Sequence, residues 1–269
     1  MVIFADNCYF MISKSQVQYL RSLAIAKFRG LNRQFIAEGP KLVGELLSSY
    51  YDCEKIFAMP EWIESNLEKV REKTTVIEIS QDELHRISAQ KNPNQVLALI
   101  NIPDQQCFSP EILNSNLVIM LDGINDPGNL GTIIRTAEWF GINHIVCSAN
   151  CADVYNPKVV QATMGSVFRV RVWYEPLKNI LQNLSAEIQV YGTLLDGKNV
   201  YQTDLSETGV VIIGSESHGI SKELWPFITT RIRIPGYPSD DVITAESLNA
   251  SVAAAIVVGE FRRRLNLES

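Results

Sequence analysis

One stretch, Leu117–Ile142, constrains this chain more than any other: LVIMLDGINDPGNLGTIIRTAEWFGI. It opens on an apolar run, Leu117 to Leu121, of the length and branched composition of a buried parallel strand. DGINDPGN follows, dense in Asp, Asn, Gly and Pro, and is a loop. From Leu130 the apolar residues fall at helical spacing (Ile133, Ile134, Ala137, Phe140), and Gly141 stands where a helix closes. The order is strand, tight polar loop, helix, with the loop at the carboxyl end of the strand. In open α/β sheets ligands bind there.

Two side chains in this stretch invite a functional reading. Asn129 stands at the helix entrance, and Arg135 lies about a turn and a half further on, beside Ile133 and Ile134. Structure alone could use them too, Asn129 as a cap and Arg135 as a solvated residue or a partner of Glu138. The loop is neither a Walker phosphate cradle nor the three-glycine dinucleotide fingerprint, which disfavours a standard Rossmann nucleotide site.

The 269 residues allow one or two domains, and 46% hydrophobic content is ample for a core. No apolar run is long enough to span a membrane. Residues 1–10 carry Asp6 and no basic start, so they read as a loose extension rather than a signal peptide, with Met11 the more ordinary beginning. Five cysteines, at 8, 53, 107, 147 and 151, lack paired spacing. Together with His85, His144 and His218 they make no metal pattern, so the expectation is a reduced cytoplasmic protein with inert thiols and no metal.

The net charge of −6 argues against a general polyanion binder, but the charge is unevenly spread. Met11 to Tyr50 carries six basic residues (Lys14, Arg21, Lys27, Arg29, Arg33, Lys41) against Glu38 and Glu45, a local balance of +4. Tyr51 to Glu83 is acidic, nine to four. The basic segment is either a nucleic-acid footprint or a solvated helix face.

Helical spacing over residues 14–28 begins a first alternation. Strands are expected around Phe35–Ala37, Glu54–Met59, Thr75–Ile79 and Val96–Ile102, with helices through Leu42–Leu47, Trp62–Glu72 and Asp82–Ile87. This small α/β domain, residues 11–103, is followed by a segment of linker composition at 104–115. A second alternation fills 116–269, with strands at Leu117–Leu121, His144–Cys147, Val167–Trp173, Gln189–Leu194, Gly209–Ile213 and Arg231–Ile234. SLNASVAAAIVVGEFRRR closes it as a helix, Ser247 placed to cap and Leu248, Val252, Ala255 and Ile256 as its buried stripe.

Three loops of the second alternation share a format of apolar strand, glycine with Asn, Ser or Glu, then helix. They are DPGNLGTIIR, IIGSESHGIS and IPGYPSDDVITAESLNASVAAAI. Meeting over one sheet edge, they would offer Asn129, Arg135, Glu216, Ser247 and Asn249. That set suits orienting a hydroxyl and a phosphate, and suits cysteine or metal chemistry poorly.

In order and spacing these loops resemble the three motifs of the SpoU (TrmH-type) RNA ribose 2′-O-methyltransferases of the SPOUT superfamily. The resemblance rests on PGNLGTIIRTAEWFG, on Gly214 to Gly219 and on IP followed by SLNASVAAAI. ADVYNPKVVQATMGSVFRV resembles the segment between the first two motifs, and FIAEGPKLVGELL with NPNQVLALINIP resembles the small RNA substrate-binding domain. The resemblance implies an α/β fold in which a parallel-sheet domain with a deep trefoil knot follows a small α/β RNA-binding domain. It also implies S-adenosylmethionine as cofactor and a homodimer. By motif position it puts the catalytic set on Arg135, Asn129, Glu216, Ser247 and Asn249, and cofactor contacts on Thr193, Leu194, Gly214, Ile234 and Leu248. The loop Gly236–Glu246 is longer than in many relatives, and Gln161 stands where an arginine is common. Both bear on the identity of the RNA, ribosomal before transfer. The competing readings are a non-catalytic RNA-binding or ribosome-assembly protein and, disfavoured by the missing fingerprint, a nicotinamide dehydrogenase.

Overall fold

A computed structural model describes residues 12–104, 106–237 and 247–264. The expectations for residues 1–10 and for most of the loop 236–246 lie outside them. The first alternation runs α1 Lys14–Ser22, α2 Ala26–Asn32, β1 Gln34–Glu38, α3 Pro40–Leu47, β2 Cys53–Ala58, α4 Pro60–Asn66, β3 Thr75–Glu78, α5 Gln81–Ile87 and β4 Val96–Asn101. The second runs β5 Leu117–Asp122, α6 Pro127–Trp139, β6 His144–Cys147, α7 Pro157–Thr163, β7 Arg171–Tyr174, α8 Leu177–Leu181, β8 Val190–Asn199, β9 Gly209–Gly214, β10 Thr230–Arg233 and α9 Ala250–Arg263.

The chain forms two compact units. One joins the first alternation to Asp153–Phe168, and the other holds Gln106–Ala152 and the chain from Arg169 onward. The segment carrying α7, which its sequence position assigns to the second alternation, therefore packs with the first. Its Tyr155 ring lies 4.6 Å from Phe35, and Val167 accepts a hydrogen bond from Tyr51 Oη at 3.2 Å.

In the first unit the sheet order is β1-β4-β2-β3, with β3 parallel to β2 and the other pairs antiparallel. Ser13 and Ser80 cap α1 and α5 through reciprocal boxes with Gln16 and Glu83. The helix expected over 14–28 breaks at Leu23–Ile25, where Ile25 is extended ahead of α2. Arg29, expected in the basic footprint, is instead buried at 2% exposure. Its Nε donates to Asp153 at 2.9 Å and its Nη1 to the Leu23 carbonyl at 2.8 Å. A buried guanidinium needs such partners, so this charge is structural. Lys14, Arg21, Lys27, Arg33 and Lys41 remain exposed.

The second unit is a six-stranded sheet, wholly parallel, in the order β10-β8-β9-β5-β6-β7. Central β5 and β9 pair over six residues and read as near-continuous apolar runs, as strands covered on both faces must. Residues 106–116 are packed rather than strung out as a linker: Phe108 and Leu113 join the core around Val118, Met120 and Trp173. The buried face of α9 is Ala250, Ala254, Val257, Val258 and Phe261, whereas Leu248 and Val252 of the expected stripe are each 46% exposed. The sequence here is apolar around the helix, and two stripes satisfy the same period.

Candidate active site

All strands of the second unit point the same way, so their carboxyl ends share one edge. From β5 the chain proceeds outward to β6 and β7, then returns on the other side as β8, β9 and β10. The switch point lies between β5 and β9, where doubly wound sheets bind ligands. The loops at that point are those carrying Asn129 and Glu216.

Asp126 caps α6, accepting from the Asn129 backbone N–H at 2.8 Å, with Pro127 at the first helical position. Asn129 is thus not the cap, and its side chain is free to reach across loops. Its Nδ2 donates to Glu216 Oε1, which also accepts from the Ala250 backbone N–H at 3.1 Å. Asn249 Nδ2 donates to Asn129 Oδ1 at 2.9 Å. Asn249 Oδ1 takes the N–H groups of Ser251 and Val252 at 2.9 and 3.3 Å and the Ser251 hydroxyl at 2.7 Å. A carboxylate only accepts, so Asn129 must present its amide NH₂ to Glu216 and its oxygen to Asn249. The direction of the chain is fixed from Glu216 to the start of α9, and one residue from each loop belongs to it.

Asn249, not Ser247, is the N-cap of α9. Ser247 is exposed and makes no hydrogen bond among the described residues. The Asn side chain wins the cap because it stands immediately before the first helical residue. Arg135 also lies outside the network: it is exposed and has no ion pair or hydrogen bond among the described residues. Glu138, its suggested partner, pairs with Arg169. Arg135 shares the exposed face of α6 with Thr132 and Trp139.

The positions expected to face a cofactor lie on neighbouring strand ends. β8 pairs with β10 at Tyr191 and Gly192, then again only at Lys198 and Asn199. The intervening Thr193–Gly197 leaves the ladder, with the Thr193 hydroxyl donating to the Ile212 carbonyl at 3.1 Å and Leu195 80% exposed. Gly197 closes the excursion so tightly that a β-carbon would sit 2.5 Å from the Ile232 backbone. At Gly214, the end of β9, a β-carbon would lie 2.1 Å from the Gly219 carbonyl carbon. Ile234, just past β10, is half-buried, and Leu248 precedes α9. This edge of folded-back main chain and small side chains suits a ligand whose polar rim is met by backbone groups.

Three features of this region escape a reading of the sequence alone. Asp126 carries a usable signal, Asp immediately before Pro at a helix start. Asp122, buried at the end of β5, accepts the Ser221 backbone N–H at 2.7 Å and ties the first loop to the second. The third is a thiol. The four described cysteines are all free, and they are not alike: the Cys147 thiol, the Ser148 hydroxyl and the N–H groups of Ile124 and Gly123 draw the Cys151 pKa below the usual thiol value, against the effect of burial. Burial drives Cys53 up to about 12. Cys151 is therefore the more readily ionised member of the Cys147–Cys151 pair. Its alkylation by iodoacetamide, followed by peptide mass spectrometry, should reach its plateau at a pH below that of an ordinary thiol, ~8.5, while Cys53 stays unmodified. A rate still climbing at pH ~8.5 would contradict this environment.

The model of the SpoU rRNA methylase family matches residues 116–259. The chain belongs to the SpoU rRNA methylase family. An MRM3-like substrate-binding domain model matches residues 14–98. The SpoU chain is 32% identical to the 23S rRNA (guanosine(2553)-2′-O)-methyltransferase RlmP of Bacillus subtilis, over 92% of this chain and 96% of that one. Among solved structures, a protein of the TrmH family from Porphyromonas gingivalis superposes with TM-score 0.83 at 36% identity, covering 95% of this chain and all of that one. An AdoMet-bound rRNA methyltransferase from Sinorhizobium meliloti gives 0.81 at 29% identity, covering 94% and 96%. Among the described residues no group of His, Cys, Asp or Glu is arranged to hold a metal, and no helix is long and apolar enough to cross a membrane.

Proposed function

We propose that this SpoU-family chain transfers a methyl group from S-adenosylmethionine to a ribose 2′-hydroxyl in RNA, ribosomal rather than transfer RNA. The observation that carries the reading is the Glu216–Asn129–Asn249 chain, which draws one residue from each family motif to the switch point of the sheet. The 23S rRNA relative and the rRNA methylase family match support ribosomal RNA as substrate. The test is methylation of ribosomal RNA by the purified chain, with the methyl group located on the ribose.

Thr193, Leu194, Gly214, Ile234 and Leu248 would hold the cofactor, and the close-folded glycine turns fit a ligand read by main chain. Bound there, it supplies a methyl group on a positively charged sulfur. A ribose hydroxyl is a poor nucleophile whose proton must leave as the new bond forms. Arg135, exposed and free of protein partners among the described residues, is the group to bind the adjacent phosphate and polarise that hydroxyl. A guanidinium is a poor base, which favours orientation over proton abstraction. Asn129 and Asn249 position the nucleotide, Glu216 fixes Asn129 and the start of α9, and Ser247 lines the approach. Much of the acceleration is then positional, worth up to ~7–11 kcal/mol in favourable cases.

The proposal includes a homodimer, supported by the exposed Leu248 and Val252 at the start of α9 and by Trp139 of α6, which is 85% exposed. It includes the family's trefoil knot, supported by the return of α9, after which Arg264 donates to the carbonyls of Val200 and Thr203. A cytoplasmic setting is supported by the free thiols.

The first unit is the RNA-binding part of this proposal. Exposed Lys14, Arg21, Lys27, Arg33 and Lys41 share the segment with Phe28 and Leu31, which are 37% and 70% exposed. Such a mixture grips phosphates and offers stacking surface. Lys14→Glu with Lys27→Glu should weaken RNA binding at least tenfold and flatten its dependence on salt, by ~0.7 for each phosphate of a single strand that is no longer neutralised. The melting temperature and turnover at saturating RNA should stay near wild type. Unchanged RNA affinity would remove the footprint.

A further inference from the structure

The first unit holds a cavity of about 330 Å³. Its walls are largely apolar, from Leu20, Ala24, Ile36, Ile87 and Pro157, and its polar groups are Arg21, Glu38 and Ser88. The volume is within the range of ~300–1,000 Å³ usual for small-molecule sites. Glu38 ends β1 and is 6% exposed. One carboxylate oxygen accepts from the Ser88 hydroxyl and the other from the Ala89 N–H at 3.2 Å. No cation pairs with it among the described residues.

Folding rarely leaves an acid buried beside a cavity without a counter-charge. Burial pushes its pKa up, and the two hydrogen bonds only partly offset that. Each oxygen takes a single protein donor and can accept one more. A ligand with two adjacent donors on a largely apolar body would complete this group and suit these walls.

We infer that this cavity is a base pocket for a single-stranded guanine, with Glu38 accepting from the N1–H and the 2-amino group. The inference rests on the first unit being the RNA-binding part of the protein. Among the four bases only guanine has two adjacent donor groups on its pairing edge. Adenine and cytosine place a ring acceptor beside their one amino group, and uracil flanks its single N–H with two carbonyls; in each case a lone pair would face the carboxylate. The aliphatic walls cover the faces of the ring, and exposed Arg21 at the lining is placed for the attached phosphate.

The test titrates the full chain with guanosine, inosine and adenosine 5′-monophosphates by saturation-transfer NMR and calorimetry. Guanosine monophosphate should bind at least fivefold tighter than adenosine monophosphate, with inosine, which lacks the 2-amino group, between them. Glu38→Gln keeps the shape and an acceptor for Ser88, and should abolish the preference. Ala24→Leu, at an exposed wall position, should weaken all three nucleotides without lowering the melting temperature. Equal binding of the three nucleotides, or binding of none, with affinity for long RNA intact, overturns the pocket and leaves the RNA-binding reading standing. Long-RNA affinity that ignores the Lys14 and Lys27 charge reversals strikes that reading instead. A guanine preference that persists in Glu38→Gln overturns the role given to the carboxylate.

Discussion

Arg135→Ala is expected to lower methylation by about 10²–10³, the range over which removal of one charge-stabilising donor falls. The side chain is exposed and ties nothing together among the described residues. Its loss should therefore change stability by no more than ~0.5 kcal/mol and leave affinity for S-adenosylmethionine nearly unchanged. Arg135→Lys should recover only part of the activity, since an ammonium cannot meet a phosphate with a two-pronged hydrogen bond. Single-turnover methylation, with a thermal melt and a cofactor titration on the same preparation, measures all three quantities. Full activity in the alanine variant would remove Arg135 from the chemistry.

The second large effect belongs to Asn249, which performs two tasks that substitution can separate. Its oxygen caps α9 and its amide nitrogen holds Asn129. Asn249→Ser keeps a good cap but is too short to reach Asn129. It should melt close to wild type and turn over at least tenfold more slowly, a loss of ~1.4 kcal/mol of transition-state stabilisation. Asn249→Ala removes both roles and should add a stability cost of ~1 kcal/mol, up to ~2. If the serine variant methylates normally, the link to Asn129 has no catalytic consequence and Asn249 is a helix cap alone.

How much of this was legible in the sequence follows from what each signal depends on. The strand–loop–helix order around Leu117–Ile142 is local, set by branched runs and by Asp, Pro and Gly, and the structure keeps it. The grouping of Asn129, Glu216 and Asn249 was legible because three motifs share a format, although their hydrogen-bond order was not. In α9 the cap is Asn249 where Ser247 is expected, and the buried face is Ala250, Ala254, Val257, Val258 and Phe261 where the expected stripe is Leu248, Val252, Ala255 and Ile256. In a helix apolar on both sides, only tertiary contacts choose the face. The burial of Arg29 was hidden for a related reason, since its partner Asp153 lies 124 residues away. Thr193–Gly197 leaving the ladder, and Cys151 drawn into a ring of donors, likewise depend on contacts that no local pattern carries.

The most direct measurement of the central claim follows the methyl group itself. The purified chain is incubated with ribosomal RNA and S-adenosylmethionine labelled in its methyl group, and the RNA is then hydrolysed with alkali. A ribose methylated at its 2′-oxygen cannot open its own phosphodiester, so the account predicts label in an alkali-resistant dinucleotide, with the methyl on the ribose by mass spectrometry. Label recovered in mononucleotides on a base, or RNA left unlabelled by a chain that binds both the cofactor and the RNA, would contradict it.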